Sequence, residues 1–595
     1  MTLVSELRSV DRQYTRRVWA LFMDRVAFAC LTLLALTFVF EAPIGGLQVG
    51  VAALSDSLTT VKILEGLVIA TWALSRVFAG TWPDLPRRLI LPVTLWLIAL
   101  IVSTALAPDY LMHTLRFLSR LLLGLLLAWV AYDLVDSPAR WQLVIGSLVI
   151  AGVSVGLLGL AEAAGLPPVL GFLRLFRDGQ TRVGDVIRIS ASLDYATIMA
   201  MVLEMLIPLM GAWLLTARQR WLKAILGAAI VIAIVAMVLT LTRSAILGLA
   251  VALLFMGGVG LLNSRREVVW ASVGLMVAVV VVIGSLLVVN PTVGLRMLSE
   301  SEDGWYQARY AAPVEVAARP GEFVNIPIQV NNAGRHFWQA AADPVFRLGY
   351  TLTRPGDASF AAQDGIRSPL PADVRPGQTI AIVARVASPP VPGVYLIQWD
   401  MVEETVLWFS WRGSAPGSTR LVVAGEPVIH ARPPKLGPAN HAPAAPPVER
   451  PALWGAALRM FRSSPLFGVG PDNFRWVYGR FLNLDHWDTK IHANSIYLET
   501  LADTGVIGLL AFLWLNWRWL RLAWQRLKQQ DDQALWLWHL ALIAALVAWF
   551  VHGFLDYFYE FAGTYVLFWL IAGLSINLYS SRSRQQPQTT VDPAG

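Results

Sequence analysis

The sequence has few charged residues and almost no cysteine. Of its 595 residues, 15% are charged and 56% are hydrophobic, whereas a soluble protein carries roughly 25% charged residues. This balance excludes a water-soluble globule and a disordered chain. A single cysteine, Cys30, excludes an intrachain disulfide. The sequence also contains no metal-ligand motif, phosphate-binding loop or dinucleotide fingerprint, so we expect neither a metal nor another cofactor.

Long apolar runs take the place of these features and predict an all-α polytopic membrane protein. A backbone in lipid must satisfy its own hydrogen bonds, so each run is expected to be a helix. The twelve predicted spans cover about residues 24–42, 60–78, 88–106, 112–133, 141–162, 194–215, 221–240, 244–262, 268–290, 500–518, 534–553 and 561–580. The predicted membrane domain therefore comprises 1–300 and 500–580, followed by a tail at 581–595.

Short basic loops predict the orientation of these spans. Lysine supplies only five of the 47 basic residues, so arginine carries most of the positive charge. The basic segments on the side of the N-terminus are 87–88, 218–223, 265–266, 518–528 and 582–584. The positive-inside rule places this side, with both termini, in the cytoplasm. Residues 163–193 and 291–499 are then expected to lie outside the cell membrane.

The long outer segment has a different pattern from the rest of the chain. From about 305 to 430, alternating stretches such as "FVNIPIQV" and "TIAIVARVA" are separated by turn signals such as "RPGE" and "RPGQ". About seven short strands of this kind predict an inserted, extracytoplasmic immunoglobulin-like β-sandwich. Its aromatic stretches, "HFWQ" and "LWFSW", could stack on sugars, but a role in the sandwich core is favoured. A proline-rich linker at 431–449 and an outer loop at 450–499 follow.

Several arginines on the outer side run against the charge rule. Arg243 lies in "LTLTRSAILGL" between spans seven and eight, and Arg188 lies at the outer end of span six. An arginine at a membrane boundary snorkels, pairs or binds an anion. For Arg243 this unexpected side favours function over simple anchoring, and Arg188 is ranked above its neighbours because of the motifs described next. The preceding arginines, at 174, 177 and 182, are expected to face solvent.

Four motifs carry a resemblance to a known family. They are "SPLFGVGPDNF" (464–474), "HANSIYLETLADTGVIGLL" (492–510), "TLTRSAILGL" and "HGFLDYFYE" (552–560). With these motifs, the chain from about 185 onward resembles the O-antigen ligase and polymerase superfamily of bacterial membrane glycosyltransferases. The resemblance implies transfer of a glycan from an undecaprenyl-pyrophosphate carrier to a hydroxyl of lipid A–core or of another repeat unit. It also implies that neither a metal nor a nucleotide sugar is needed.

The resemblance also implies site residues. Arg188 and Arg243 match the arginine positions of the family, and Arg450 matches a frequent loop arginine. Members commonly read His-x-His-Asn-x-Tyr-Leu, with the second histidine eleven residues before a glycine; here that position is Asn494. His492 fits the first histidine. Either His492 has taken over the role, with Asn494 orienting the acceptor, or the protein works differently.

The chemistry of such a transfer fits these residue types. Fixed arginines can stabilise a departing diphosphate, and we expect the three named above to converge on one outward-facing cavity. A neutral imidazole can take the proton of the attacking hydroxyl, and His486 is a weaker candidate than His492. An extended backbone would place His492 and Asn494 on the same side of the chain.

Carboxylates near the candidate histidine have two interpretations. Glu499 and Asp503 lie one helical turn apart, so they share a face. They could orient the histidine or bind sugar hydroxyls, or they could be helix N-terminal acids favoured by the dipole. The same alternatives apply to Asp472 in "GPDNF" and to Asp556 after His552.

The leading interpretation is a glycan ligase or polymerase of the bacterial plasma membrane. Its expected partners are the bilayer, the carrier-linked glycan donor and a glycan or glycolipid acceptor, with no nucleic acid. A transporter or flippase of lipid-linked glycan is one alternative, although no paired half-repeats are visible. A catalytically inactive scaffold, suggested by Asn494, is the other.

Overall fold

The structure is a computed structural model of the 595-residue chain. It describes residues 2–43, 59–107, 110–177, 181–183, 186–289, 304–341, 345–356, 363–404, 407–428, 448–484 and 487–577. Side chains are described from residue 14 onward, except those at 181–183, 186 and 363–364. His486, the tail at 581–595 and most of the predicted linker at 431–449 lie outside the described residues.

The chain divides into two compact units. The helical unit comprises Met1–Gly179, Arg188–Val289 and Arg450–Gly595, and the strand unit comprises Gln180–Ile187 and Asn290–Glu449. This division follows the change from long apolar runs to short alternating ones in the sequence.

Helices dominate the helical unit. In chain order they are α1 (Thr2–Thr37), α2 (Thr60–Ala79), α3 (Arg87–Ala105), α4 (Leu111–Leu134), α5 (Pro138–Ala163), α6 (Pro167–Leu173), α7 (Ala196–Thr216), α8 (Arg220–Leu239), α9 (Arg243–Leu262), α10 (Arg266–Val289), α11 (Arg450–Ser463), α12 (Phe474–Phe481), α13 (Ile496–Lys528), α14 (Gln533–His552) and α15 (Ala562–Ser575).

Ten of the described helices are long and apolar enough to cross a membrane. Each of the twelve predicted segments falls on a helix, but α2 and α15 do not reach this standard. Helix α2 carries Lys62, Glu65 and Arg76. Helix α15 has 14 residues, which extend about 21 Å at 1.5 Å per residue, against a hydrocarbon core of about 30 Å. A multi-pass membrane protein is therefore confirmed, whereas twelve spans and cytoplasmic termini stay predictions.

Polar contacts mark the two ends of the helical unit. At one end Asp24 pairs with Arg76 at 3.1 Å and with Arg140 at 2.6 Å. The other end, here called the site end, is where α5, α8 and α14 finish and where α7, α9 and α13 begin. The candidate residues of the helical unit lie at this end.

Helix α13 is broken at Gly505, and the break receives the motif at 464–474. Gly505 has φ 65°, and a Cβ there would lie 2.3 Å from the carbonyl carbon of Leu466. Backbone groups freed by the break pair with the motif: Val469 N donates to Ala502 O at 3.0 Å and Gly470 N to Asp503 O at 2.8 Å. The two most distinctive motifs of the sequence therefore fold as one interlocked piece.

Strands form the second unit. They are β1 (Thr181–Val183), β2 (Val186–Arg188), β3 (Ala308–Ala311), β4 (Glu315–Ala318), β5 (Phe323–Asn332), β6 (Phe346–Thr353), β7 (Gln363–Asp364), β8 (Ser368–Pro369), β9 (Thr379–Ala387), β10 (Gly393–Glu403), β11 (Leu407–Trp408) and β12 (Gly417–Val423). One sheet has the order β4-β12-β10-β6-β7, with β11 on β10 and β8 on β6, and a second has the order β3-β5-β9. Strand β12 pairs with β4 in parallel, and the remaining pairs of these two sheets are antiparallel.

Both sheets contribute to one buried core. In β5, for example, Ile326, Ile328 and Val330 are buried while the residues between them are exposed. Trp338 and Phe409, from the stretches "HFWQ" and "LWFSW", are fully buried in the same core, which agrees with the favoured core role of these stretches. A β-sheet region is therefore confirmed at 305–430, whereas its immunoglobulin-like character stays a prediction.

Candidate active site

Arg188 and Arg243 meet at one loop of the site end. Arg188 Nε donates to Thr240 O at 2.8 Å, and its Nη2 donates to Thr242 Oγ1 at 3.3 Å. Arg243 directly follows this loop, as the first residue of α9, and is exposed. The structure therefore places the two predicted arginines beside the same turn of backbone.

Arg177 holds the segment that follows Arg188. Its guanidinium pairs with the fully buried Glu162 and donates from Nε to Ala191 O at 2.8 Å. Glu162 also accepts from the backbone nitrogens of Ser190 and Ala191, at 3.1 and 2.8 Å. The expectation that Arg177 faces solvent is wrong, because the buried carboxylate needs a charged partner.

The prediction of solvent exposure can be compared with the structure for Arg174 but not for Arg182. Arg174 is exposed, as expected. The side chain of Arg182 lies outside the described part of the chain.

His492 lies between two carboxylates. Its Nδ1 is 2.5 Å from Glu499 Oε1, and its Nε2 is 2.6 Å from Glu560 Oε2. The ring stacks on Tyr557 with centroids 4.2 Å apart. The side chain of His492 is 5% exposed, whereas that of Glu560 is 27% exposed. Glu560 is therefore the member of this group that meets solvent.

Further charges extend this group into an alternating row. Glu560 Oε1 is 2.6 Å from Arg475 Nη1, and Arg475 Nη2 is 2.6 Å from Asp472 Oδ2. We call Glu499, His492, Glu560, Arg475 and Asp472 the charge row. Each cation in the row has an anion on both sides, which favours the charged forms of His492 and Arg475.

These contacts, together with burial, shift the pKa values of three members of the charge row. Burial alone would lower the pKa of His492, but the carboxylates of Glu499 and Glu560 raise it to about 10. Burial would raise the pKa of Glu560, but hydrogen bonding and charge from His492, together with Arg475, lower it to about 2. Burial raises the pKa of Asp472 to about 6 against the opposing charge of Arg475. At neutral pH the row therefore holds an imidazolium and an ionised Glu560.

The protonated state of His492 affects its predicted role as the general base. A protonated imidazole has no free lone pair, so His492 can accept a proton only after it has lost the one it shares with Glu560. Its role as general base stays a prediction with that added requirement.

Asn494 and Asp503 take positions that the sequence did not specify. Asn494 has φ 51°, in the left-handed region, so the extended backbone that would place its side chain on the same side as that of His492 is not present at this residue. The next residue, Ser495, caps α13 and accepts from Leu498 N at 3.4 Å. Asp503 accepts from the backbone nitrogens of Asp472 and Phe474, each at 2.8 Å. Its carboxylate thus anchors the motif at 464–474.

A second histidine, His552, lies at the end of α14. Its Nε2 is 2.7 Å from Ser244 Oγ, and its Nδ1 is 3.1 Å from Glu204 Oε1. Asp556 Oδ2 is 3.5 Å from the same Nε2 and 3.8 Å from Arg450 Nη2. Arg450 therefore reaches His552 through Asp556.

These contacts connect the three predicted arginines. Arg188 contacts the loop that precedes Arg243, the next residue Ser244 contacts His552, and Asp556 connects His552 with Arg450. A common outward-facing cavity for the arginines stays a prediction.

One group among the described residues has metal-ligand spacing. Asp472, His492 and Glu499 each offer one ligand atom, and these atoms lie within 4.8 Å of one another. Both nitrogens of His492 already face carboxylates. A metal would have to displace Glu499 or Glu560 from the imidazole, so these residues fit a metal poorly in this geometry.

Sequence reasoning missed three charged residues of the site: Glu560, Arg475 and Glu204. Glu560 and His552 lie within the quoted stretch "HGFLDYFYE" but were not singled out. Glu204 lies inside span six, and an ionisable residue in a membrane segment is itself a signal of function. No signal in the sequence marks Ser244.

A comparison with known families supports the motifs. Residues 440–513 match the family model described as O-antigen ligase. No curated protein matches the chain. The matched segment includes α11, α12 and the start of α13, and with them four residues of the charge row: Asp472, Arg475, His492 and Glu499. Residues 440–513 thus form an O-antigen ligase domain, in a chain whose described helices include ten long and apolar enough to cross a membrane.

Proposed function

We propose that the protein transfers a glycan from an undecaprenyl-pyrophosphate carrier to a hydroxyl of a glycan or glycolipid acceptor. The reaction takes place at the outer face of the bacterial plasma membrane. The observation that carries this proposal is the set of contacts joining Arg188, the 240–244 loop and His552 at the end of the helical unit that also holds the charge row.

The donor diphosphate binds at Arg188 and Arg243. Two guanidinium groups beside one backbone turn can bind phosphate oxygens bidentately. Arg188 is held in place by Thr240 and Thr242, so little reorganisation is needed as charge develops on the leaving group. Arginine keeps its charge at every physiological pH, which suits this role.

The acceptor binds on the side of Glu560 and His492. Glu560 is the exposed end of the pair, so an acceptor hydroxyl meets this carboxylate first. A carboxylate with a pKa of about 2 is a weak base, so it takes the proton late, once attack has made the hydroxyl acidic. The alternative is that the acceptor displaces Glu560 and gives its proton to His492 after deprotonation of the ring.

The positive-inside rule supports an orientation in which the site end faces the outside of the membrane. The basic loops at 87–88, 218–223 and 265–266 lie at the end of the helices opposite to Arg188 and Arg243. If those loops are cytoplasmic, the site end faces the outer leaflet, where a flipped carrier lipid would present its glycan.

A transfer assay with arginine variants tests the donor site. Arg188→Ala and Arg243→Ala are each expected to lower glycan transfer by about 10²–10³-fold, the usual effect of removing one preorganised charge stabiliser. The assay uses purified protein in vesicles with the carrier-linked glycan and lipid A–core or repeat-unit acceptors. Arg174→Ala is the matched control, since Arg174 is an exposed arginine of the same loop region.

Two outcomes would overturn the assignment. Full transfer by both variants would remove the arginines from the reaction. Binding of the carrier by the wild type without any transfer would favour the inactive scaffold.

A further inference from the structure

Ser244, His552 and Glu204 form a buried hydrogen-bonded relay beside the arginine loop. Ser244 Oγ is 2.7 Å from His552 Nε2, and Glu204 Oε1 is 3.1 Å from His552 Nδ1. Ser244 is 6% exposed, and the other two residues are fully buried. Such an arrangement of hydroxyl, imidazole and carboxylate can move a proton along one line.

Three helices supply the residues of this relay, and a glycine leaves room for one of them. Glu204 comes from α7, Ser244 from α9 and His552 from α14. Gly248 lies one turn after Ser244, and a Cβ there would be 3.0 and 3.1 Å from the two Glu204 carboxylate oxygens. A buried carboxylate in a membrane segment is costly, and apolar side chains would pack these helices more cheaply. The relay therefore needs an explanation beyond packing.

The partners of His552 favour its protonated form. Glu204 faces Nδ1, and Asp556 lies 3.5 Å from Nε2 on the loop after α14. Two carboxylates around one imidazole stabilise the imidazolium. Its Nε2–H then donates to Ser244 Oγ, and the hydrogen of the Ser244 hydroxyl is free to donate to another acceptor.

The far end of the relay lies on the donor side of the site. Ser244 directly follows Arg243, and Thr242, two residues before it, contacts Arg188. In a single displacement the acceptor attacks the anomeric carbon from the face opposite the leaving oxygen. A proton delivered beside the arginines therefore goes to the leaving group, whereas Glu560 and His492 serve the acceptor.

We infer that Ser244, His552 and Glu204 form a proton relay that protonates the leaving diphosphate. This inference rests on the proposed glycan transfer. The bond between the anomeric carbon and the phosphate oxygen breaks, and its electron pair stays on that oxygen. The oxygen takes the Ser244 hydroxyl proton, and Ser244 Oγ takes the Nε2 proton of His552. The acceptor oxygen bonds to the anomeric carbon and loses its own proton on the Glu560 side.

Kinetics of the reconstituted full chain test the relay. His552→Gln is expected to lower kcat by about 10²-fold, within the usual range for general acid–base catalysis, while KM for the carrier-linked donor stays unchanged. Ser244→Ala and Glu204→Gln should lower kcat by smaller factors. His539→Gln is the matched control: His539 is also buried on α14, but its Nδ1 contacts a backbone carbonyl, Leu535 O at 2.9 Å.

Two further readouts separate proton transfer from a structural role. Wild-type kcat should fall at high pH as the imidazolium flanked by Glu204, Asp556 and Ser244, with Arg450 behind Asp556, loses its proton. His492 also loses its proton at high pH, so the contribution of His552 is the part of this limb that is present in the wild type and missing in His552→Gln. A donor with a difluoromethylene-bridged diphosphate has a less basic leaving group. His552→Gln should therefore slow glycan transfer from this donor by a smaller factor than transfer from the natural diphosphate.

The failure of the relay is distinguishable from the failure of the proposed function. Wild-type transfer together with full kcat and an unchanged high-pH limb in His552→Gln would overturn the relay alone. If His552→Gln does not fold, the same profile measured on Glu204→Gln decides, because an unchanged limb and kcat there would also overturn it. Absence of transfer by the wild type with every acceptor would overturn the proposed function, and the relay with it.

Discussion

The two histidines at the site end differ in the nearest partner of Nε2. His492 and His552 are both buried, and each has a glutamate on Nδ1. The nearest partner of His492 Nε2, however, is the carboxylate of Glu560 at 2.6 Å, whereas that of His552 Nε2 is the hydroxyl of Ser244 at 2.7 Å, with the carboxylate of Asp556 farther away at 3.5 Å. A carboxylate can only accept a hydrogen bond, so it holds the proton on the ring. A hydroxyl both accepts and donates, so it can pass a proton on.

This difference indicates a division of labour. His492 holds Glu560 and, through it, Arg475 in place on the acceptor side. His552 exchanges its proton on the donor side. Residue type alone would have assigned both histidines the same task, and the neighbours separate them.

Among the changes that test this comparison, removal of the His492 ring should lower the rate of glycan transfer most. His492→Ala is expected to lower transfer by about 10²–10⁴-fold, because the acceptor side loses either its base or the cation that positions Glu560. Asn494→Ala should cost less, since an amide has no useful proton affinity. Donor binding, measured with the carrier-linked glycan, should survive in both variants.

Glu560→Gln separates the two roles of His492. If Glu560 takes the acceptor proton, this variant should lose transfer about as severely as His492→Ala. If the variant keeps near-wild-type transfer, His492 is the base that the sequence predicted. Full activity of His492→Ala would remove the whole pair from the mechanism.

A change at Gly505 should affect the His492 side and spare the His552 side. Gly505→Ala forces a Cβ against Leu466 at a residue with φ 65°. Backbone strain alone is worth about 1–3 kcal/mol of unfolding free energy, so the Tm should fall. Gly258→Ala is the control, because a Cβ at that helical glycine meets nothing within 4 Å. An unchanged Tm for Gly505→Ala would mean that the two motifs are not interlocked.

The pH dependence of stability should show the smallest effect. The pKa of His492 is raised from 6.5 to about 10 in the folded chain. Its contribution to stability is therefore fully present below about pH 6.5 and is lost as pH rises through about 10. Thermal unfolding of the wild type between pH 7 and 10 should show this decline, and His492→Gln should lack it. A decline of equal size in both proteins would show that His492 is not held as a cation.

Helices and strands could be predicted because they depend on patterns within short stretches of sequence. Apolar runs predicted the helices, and alternation predicted the strands between 305 and 430. The motif at 464–474 lies in the segment that matches the O-antigen ligase family model. Membrane crossing by α2 and α15 stays a prediction, because α2 carries three charged residues and α15 has only 14 residues.

Long-range pairs could not be predicted in the same way. His492 and Glu560 are 68 residues apart, and Ser244 and His552 are 308 apart. Only the packing of α9 against α14 and the loop after α14 bring these partners together. The left-handed turn at Asn494 is a further feature that no spacing rule reveals.

One measurement tests the central claim most directly: the glycan joined to acceptor and the undecaprenyl pyrophosphate released, both counted in the same vesicles. The account predicts equal amounts of the two products with wild-type protein. It also predicts a parallel loss of both in Arg243→Ala and His552→Gln. Passage of intact carrier-linked glycan across the bilayer, without release of the carrier, would contradict the account and identify a transporter.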